Sequence, residues 1–358
     1  LLLKPFTPNS INSLYNTAVK WIFNQQGYTA HYATILQNYQ LFRNLFILKF
    51  PYLFFDFAIG GLLLKIIHNK EHALFSYKLW MLNPAVLHSC YAIGQYEIIP
   101  TFFLILAVYL MIKKKNYYLT ILFLVIGGAT KILPFFLIPI VVILSGRNIR
   151  HKINLAIWAL GIILFIYLPL YITSNGEVLN SLVVSSTVKL SGYFLSLKNL
   201  NLKFLFFDCL LFIGYLFVLY NAAIFSKKSN KEQYIIPFFT ISLLLLFAFR
   251  PIGFRFLVWL TPFLSFYIYK NRIVGWLTTI LIVSLAIISL YGSELQGALF
   301  SPLYPTFFSA LPPLESFIVV SFPLLYIHKV LYRVFIISCL FLAYRLWRSE
   351  LKDKLADV

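Results

Sequence analysis

The sequence predicts an all-α, polytopic integral membrane protein, and three observations support that prediction. Of the 358 residues, 61% are hydrophobic and only 11% are charged. The mean hydropathy of +0.84 is far above that of a water-soluble domain of this size. Apolar segments also recur along the whole chain, and a helix of about 20 such residues crosses the hydrocarbon core of a bilayer.

These segments predict about eleven transmembrane helices. They are, in order, residues 42–67, 74–91, 97–113, 117–131, 132–145, 152–173, 202–225, 234–249, 256–269, 272–291 and 326–347. Each is apolar nearly throughout, and polar or basic residues separate it from the next.

Three of the segments, 117–131, 132–145 and 256–269, are too short to cross a full bilayer, because about 14 helical residues rise only about 21 Å. Prolines, at which a helix starts or breaks, stand at or near their ends: Pro134, Pro251 and Pro262. Short or broken helices at membrane depth are tolerated only inside protein or beside a wet cavity. We therefore expect an outward-facing, water-filled cavity floored by Lys131 and residues 250–255.

Basic residues mark every second loop and so predict the orientation. They are Lys65 and Lys70, Lys113 to Lys115, Arg147 to Lys152, Lys227 to Lys231, Lys270 and Arg272, and Arg345 to Lys354. Short loops rich in Lys and Arg remain cytoplasmic. Segment 1–41, with an amphipathic surface helix, and loops 174–201 and 292–325 are therefore predicted outside, with 42–347 as the membrane domain and 348–358 as a cytoplasmic tail.

The ends of the chain and its composition lead to two further expectations. An odd number of crossings with a cytoplasmic C-terminus, and a first residue that is not Met, predict one more helix upstream of Leu1, about twelve in the full-length protein. Abundant Lys, Asn, Ile, Phe and Tyr indicate an AT-rich genome and favour a bacterial plasma membrane, with the lumenal face of the endoplasmic reticulum as the alternative. The net charge of +19 is explained by cytoplasmic loops that contact anionic lipid, so no nucleic-acid partner is predicted.

Ionisable groups near the external ends of the spans are the candidate functional residues. Lys131 follows a small-residue stretch and could neutralise a phosphate, or it could be a lysine that snorkels at a helix end. Arg250 and Arg255 carry planar, permanently charged groups suited to phosphate, although interfacial anchoring is the alternative. The turn with Gln95 and Glu97 offers acceptors for sugar hydroxyls, while helix capping would equally explain Glu97.

Asp56 lies in the middle of a predicted span, where a charged group costs about 2.5–3.5 kcal/mol on insertion scales. It is expected either to pack between helices as a hydrogen-bonded carboxylate or to contact substrate. Asp208 is interpreted as structural. The chain has no DxD pair, Walker loop, HExxH or nucleophile–histidine pattern, so no metal site or cofactor is predicted, and a divalent-metal requirement is left open.

Several motifs together resemble the multispanning glycosyltransferases of the GT-C fold. These motifs are Asn83-Pro84, then Gly94-Gln95-Tyr96-Glu97, then the small-residue helix ending at Lys131 with Pro134 after it. KFPYLFFDFAIGG resembles the family helix that carries an acidic residue, here Asp56, and FRFLVWLTPF resembles its Trp-x-x-Pro segment, here Trp259 and Pro262. The nearest type is the polyprenyl-phosphate-mannose-dependent mannosyltransferase, related to the catalytic subunit of GPI mannosyltransferase I and to bacterial mannosyltransferases.

The resemblance implies an enzyme, a hexosyltransferase that inverts the anomeric carbon. It would move one sugar, with mannose as the expected one, from a polyprenyl-phosphate donor in the membrane to an extracytoplasmic glycan or lipid acceptor. Residues 95–97, Lys131, Arg250, Arg255 and Asp56 would bind these substrates. The family base is an Asp in the loop after its first helix, and no acidic residue precedes Pro51 here, so that base is expected upstream of Leu1. Glu97 replaces the usual Asp.

Two other functions remain open from the sequence. A flippase or transporter of a lipid-linked sugar predicts two pseudo-symmetric halves with broken helices at matching positions. No such symmetry is found, and the polar groups gather at one face. A non-catalytic subunit of a membrane glycan-assembly complex would equally lack a base. An Asp in an external loop of the complete gene would favour the enzyme over the subunit.

Overall fold

The computed structural model describes residues 40–92, 96–146, 148–173, 202–250, 254–269, 271–290 and 324–352. Over these ranges the chain is almost entirely helical and contains no strand, which confirms the all-α prediction. The predicted external loops 174–201 and 292–325, most of segment 1–41 and the end of the 348–358 tail lie outside the described residues. So do Gln95 and Pro251.

Helices occupy the segments that the hydropathy pattern marks. They are α1 Gln40–Ile66, α2 Lys70–Met81, α3 Pro84–Val86, α4 Ile98–Lys114, α5 Tyr117–Thr130, α6 Ile138–Leu144, α7 Ile149–Thr173, α8 Leu202–Phe225, α9 Ile235–Phe249, α10 Leu257–Ile268, α11 Arg272–Leu290 and α12 Leu324–Leu346. Tighter 3₁₀ turns precede three of them, at Leu133–Leu137, Lys231–Tyr234 and Phe254–Phe256. Wider π-helical turns follow α3 and α12, at Leu87–Ala92 and Trp347–Lys352.

Four helical segments of the described chain are long and apolar enough to cross a membrane. They are Ile149–Pro169, Phe206–Phe225, Lys231–Phe249 and Lys329–Lys352. Large apolar side chains on α7 and α8 point away from the protein, and Phe165 is 80% exposed. Exposed apolar surface of this extent indicates contact with lipid, so the chain is membrane-associated.

Helix α9 forms the centre of the bundle. In the apolar stretch within Lys231–Phe249, 72% of the residues are buried inside the protein, compared with 17% in the corresponding stretch of α7. Helices α4, α6, α8, α10 and α12 all contact α9. Its buried aromatic residues, Phe238, Phe239 and Phe247, belong to a single apolar core that extends through the described helices.

The predicted span 74–91 is interrupted in the structure. Helix α2 ends at Met81, and the chain restarts as a helix at Pro84. Proline lacks an N–H donor and disfavours helical backbone in the residue before it, so Asn83 adopts an extended conformation. The Asn83 side chain then caps the new helix by accepting a hydrogen bond from Ala85 N at 2.8 Å. The apolar pattern by itself masked this break.

Pro262 differs from its predicted position near a helix end, because it lies in the middle of α10. Pro134, in contrast, stands at the start of the 3₁₀ turn that separates α5 from α6. A proline removes only one helical hydrogen bond, and α10 is buried over most of its length, so packing holds the helix together across Pro262.

Side-chain contacts join the helix ends into two separate groups. At one end, Lys113 of α4 meets His68 after α1 at 3.2 Å, and Tyr117 OH of α5 donates to Glu232 Oε1 at 2.7 Å. At the other end, the starts of α4 and α10 meet the end of α5 through Glu97, Phe256 and Lys131. The basic loops fall on the first end, and most of the candidate functional residues fall on the second.

Candidate functional site

The turn before α4 places Glu97 inside the protein. Glu97 is the residue that precedes the first helical residue, Ile98, but its side chain makes no capping hydrogen bond. Its carboxylate is fully buried and lies 3.1 Å from Lys131 Nζ through Oε1. Glu97 therefore does not cap α4 through a side-chain hydrogen bond and instead forms an ion pair with Lys131. The preceding Tyr96 is 41% exposed, at the edge of this site.

Lys131 reaches this carboxylate because α5 ends in small residues. A Cβ atom built on Gly128 would lie 2.5 Å from the Phe135 ring, so Gly128 allows that ring to pack directly against α5. Lys131 itself is extended, and its side chain retains 21% exposure. Its ammonium group lies 4.5 Å from the centroid of the Tyr96 ring and 5.6 Å from that of Phe256, within the range of cation–π attraction.

Arg255 enters the same site from the 3₁₀ turn before α10. Its guanidinium carbon lies 4.7 Å from the centroid of the Phe256 ring, which Lys131 also approaches. Arg255 is close enough to stabilise the negative charge of Glu97, after the larger contribution of Lys131. Two cations and one carboxylate therefore share an aromatic-lined site, which we call the Lys131–Arg255 cluster (Tyr96, Glu97, Lys131, Arg255, Phe256 and Trp259).

Trp259 completes the cluster, and the sequence analysis did not identify it as a site residue. It lies four residues after Arg255, is 6% exposed, and its indole lies near the Glu97 carboxylate. Within the described part of the chain, Trp259 Nε1 has no well-directed hydrogen-bond partner, and neither has Glu97 Oε2. The i, i+4 spacing of Arg255 and Trp259 was the available signal, because residues at that spacing share one helix face.

Asp56 has a different environment. Its side chain is buried, with Trp80 Nε1 donating to Oδ1 at 2.6 Å and Tyr91 OH donating to Oδ2 at 2.7 Å. Lys49 Nζ also donates to the Tyr91 carbonyl oxygen at 2.6 Å. These bonds tie α1 to α2 and to the π-helical turn after α3. A structural role accounts for them, and contact between Asp56 and a substrate stays a prediction.

Arg250 is engaged away from the cluster. It follows α9, and its guanidinium lies 2.8 Å from Asp208 Oδ1 of α8, with both side chains partly exposed. The structure thus brings Tyr96, Glu97, Lys131 and Arg255 together and pairs Arg250 with Asp208. Gln95 and residues 251–253, which adjoin the cluster in sequence, lie outside the described residues. The outward-facing cavity floored by Lys131 and residues 250–255 stays a prediction.

Among the described residues, no group of three His, Cys, Asp or Glu side chains could hold a metal ion. No known protein family, curated protein or solved structure is detectably similar to this chain. The resemblance to GT-C glycosyltransferases therefore rests on the sequence motifs, and any function has to be argued from the cluster itself.

Proposed function

We propose that the protein is a polytopic membrane glycosyltransferase of the GT-C type, which transfers one sugar, with mannose as the expected one, from a polyprenyl-phosphate donor. The observation that supports this best is the meeting of Glu97, Lys131 and Arg255. Lys131 lies 34 residues after Glu97, and Arg255 lies 124 residues after Lys131, yet the three side chains share one aromatic-lined site. In the proposal this site holds the phosphate of the donor and one hydroxyl group.

The charge of the cluster fits a single phosphodiester. Lys131 and Arg255 carry two positive charges, and Glu97 carries one negative charge when ionised, which leaves one net positive charge. A sugar linked to a polyprenol through one phosphate carries one negative charge. Charge-assisted hydrogen bonds from lysine and arginine to phosphate oxygens are about twice as strong as neutral ones. Aromatic walls exclude water and strengthen them further.

The unsatisfied polar atoms of the cluster fit a hydroxyl group. The Trp259 indole lies close enough to the Glu97 carboxylate to stabilise its charge, but neither Trp259 Nε1 nor Glu97 Oε2 has a well-directed hydrogen bond within the described chain. One hydroxyl can donate to the carboxylate and accept from the indole at the same time. Leaving such buried groups unpaired costs about 1–3 kcal/mol each, so a ligand that satisfies both gains affinity. A sugar or a hydroxyl-bearing acceptor is the ligand in this proposal.

The predicted topology would give this site access to both substrates. In that topology the chain crosses the membrane eleven times, the basic loops lie in the cytoplasm, and the cluster lies in an outward-facing cavity near the external membrane surface. The donor's hydrocarbon tail would then stay in the bilayer while its phosphate reaches Lys131. The acceptor oxygen would attack the anomeric carbon from the aqueous side, and the sugar–phosphate bond would break with its electron pair on the phosphate. The proton of the acceptor hydroxyl would pass to a general base.

Sugar transfer from a radiolabelled polyprenyl-phosphate sugar tests the proposal with the complete protein. We expect Lys131→Ala and Arg255→Ala each to lower kcat/KM about 100-fold, because each removes a cation that stabilises the departing phosphate. Lys65→Ala and Arg150→Ala are the matched controls, since both residues are exposed at the basic end of the bundle. Undiminished transfer by both cluster variants, or no transfer by the wild type from any such donor, would refute the proposal.

A further inference from the structure

A concave feature lies at the surface between α2, α10 and α11, and none of its lining residues belongs to the Lys131–Arg255 cluster. It is a groove of about 360 Å³. Apolar side chains from all three helices line it, including Leu79, Leu264 and Ile282. Trp276 stands at its rim and is 71% exposed. We call this feature the α10–α11 groove.

The threonine residues that line the groove do not offer free hydroxyl groups to a ligand. The hydroxyl groups of Thr261, Thr278 and Thr279 each donate to a carbonyl oxygen four residues earlier in their own helix, at 2.8–3.0 Å. Their hydrogen-bonding capacity is thereby used within the helices. Gly275 lines the groove without adding a side chain to it. The groove therefore suits a hydrocarbon chain.

One end of the groove is basic. Arg272 lines it at the first residue of α11 and is exposed. Among the described residues, no carboxylate lies within ion-pair distance of Arg272. At the opposite end, the buried Asn83 side chain is already engaged by Ala85 N. A ligand in the groove would thus meet one charge, at the Arg272 end.

The length of the groove matches one leaflet of a bilayer. Arg272 and Ile282 are ten helical residues apart on α11, which corresponds to about 15 Å. Half of the roughly 30 Å hydrocarbon core is also about 15 Å. A chain that begins at Arg272 would therefore end near the bilayer midplane, as an acyl chain of the same leaflet does.

We propose that the α10–α11 groove is a binding site for an anionic phospholipid of the surrounding membrane. One acyl chain lies in the groove, and the phosphate and anionic headgroup pair with Arg272. Basic pockets between transmembrane helices bind anionic headgroups by this combination of charge and apolar contact. The site is separate from the Lys131–Arg255 cluster. The lipid proposal requires that the protein is inserted in a membrane, but it does not require that the protein transfers a sugar.

Native mass spectrometry of the complete chain in detergent tests this site with two lipids that share acyl chains. We expect dioleoyl-phosphatidylglycerol to bind about fivefold more tightly than dioleoyl-phosphatidylcholine, because one basic residue near an anionic headgroup contributes about 1 kcal/mol of binding free energy. Arg272→Gln should abolish that preference mainly by weakening phosphatidylglycerol binding, because the choline cation of phosphatidylcholine already offsets its phosphate charge. Gly275→Phe should weaken both lipids at least fivefold, because its ring fills the space for the chain.

Lys65→Gln is the matched control, since it removes an exposed lysine at the same end of the bundle but outside the groove. It should keep the wild-type preference, and thermal unfolding in detergent should show that all variants are folded. Equal binding of both lipids by the wild type, a preference that survives Arg272→Gln, or tighter binding of a polyprenyl phosphate than of phosphatidylglycerol would overturn the assignment. None of these results depends on enzymatic activity, so a failed transfer assay leaves this test intact.

Discussion

Two buried carboxylates, Asp56 and Glu97, differ in what their oxygens contact. Both oxygens of Asp56 accept hydrogen bonds from Trp80 and Tyr91, so its charge is stabilised entirely by protein groups. Glu97 has one cation at Oε1, and no well-directed donor reaches Oε2 within the described chain. A carboxylate satisfied by its own fold maintains structure, whereas one with a free acceptor oxygen can bind a ligand.

The first prediction at the residue scale concerns stability. Asp56→Ala should lower the free energy of unfolding by about 1–3 kcal/mol, because it removes the acceptor of Tyr91 OH and leaves Trp80 Nε1 only its longer bond to the Asp56 carbonyl oxygen at 3.3 Å. Asp208→Ala is the matched control: its pair with Arg250 is partly exposed, and such pairs contribute about 0–1 kcal/mol. Thermal unfolding in detergent measures both. Equal losses for the two variants would contradict the structural role of Asp56.

The second prediction at this scale concerns the hydroxyl site. Trp259→Phe keeps an aromatic ring in the cluster but removes the indole N–H. If that group donates to a substrate hydroxyl, kcat/KM for sugar transfer should fall roughly 5- to 10-fold, equivalent to one neutral hydrogen bond. Trp158→Phe is the control, because the Trp158 indole donates to the Tyr118 carbonyl outside the cluster. Unchanged kinetics for Trp259→Phe would remove Trp259 from the binding site.

At the scale of elements, the ends of short helices determine where functional side chains lie. Helix α5 has only 14 residues, and the chain reverses within a few residues of its end through Lys131 and the turn that contains Pro134. Helix α10 begins with a 3₁₀ turn that carries Arg255. Lys131 and Arg255 therefore lie in turns at the ends of short helices, and these turns meet at the cluster.

The close return after α5 gives a prediction for Gly128. Gly128→Ala places a methyl group where the Phe135 ring lies, so we expect a net loss of about 1 kcal/mol of stability, with overpacking outweighing the gain in helix propensity. Gly161→Ala on α7 is the matched control, because nothing lies within 4 Å of the added atom. It should be neutral or slightly stabilising in thermal unfolding. A stabilised Gly128→Ala variant would show that the contact is loose.

At the scale of the whole molecule, contacts between loops sort the helix ends into two groups. Lys231 Nζ donates to the Ser145 carbonyl at 2.6 Å, and Tyr269 OH donates to Glu71 at 3.1 Å, both at the basic end. Glu97 and Lys131 meet at the opposite end. A bundle with basic loops at one end and a paired polar site at the other has the asymmetry that a membrane-spanning orientation requires.

Site-directed labelling tests this orientation. We expect Ile132→Cys, at an exposed position beside Lys131, to react with a membrane-impermeant maleimide in intact cells. Lys114→Cys, at the basic end, should react only after the membrane is permeabilised. The native cysteines Cys90 and Cys339 are buried, and Cys209→Ser removes the exposed one from the background. Labelling of Lys114→Cys in intact cells would reverse the proposed topology.

Much of the architecture could be predicted from sequence, because hydropathy and charge act locally. The first and last residues of α8 agree with the predicted apolar segment 202–225. The charge pattern likewise predicted that Lys65 and Lys113 lie at the same, basic end of the bundle. The break at Asn83-Pro84 was missed, because apolar residues continue on both sides of it. Of the candidate site, Lys131 and Arg255 were predicted from their charge, whereas Trp259 was missed, since a tryptophan in an apolar helix is ordinarily core.

Composition and periodicity alone determined that the chain is helical and membrane-associated, because the cost of placing polar groups in lipid acts on every residue wherever it lies. Tertiary structure decided which charges meet. Lys131 pairs with Glu97, and Arg250 pairs with Asp208 rather than joining Arg255. Such pairings depend on contacts between residues far apart in the chain, and no local pattern encodes which helix ends pack together.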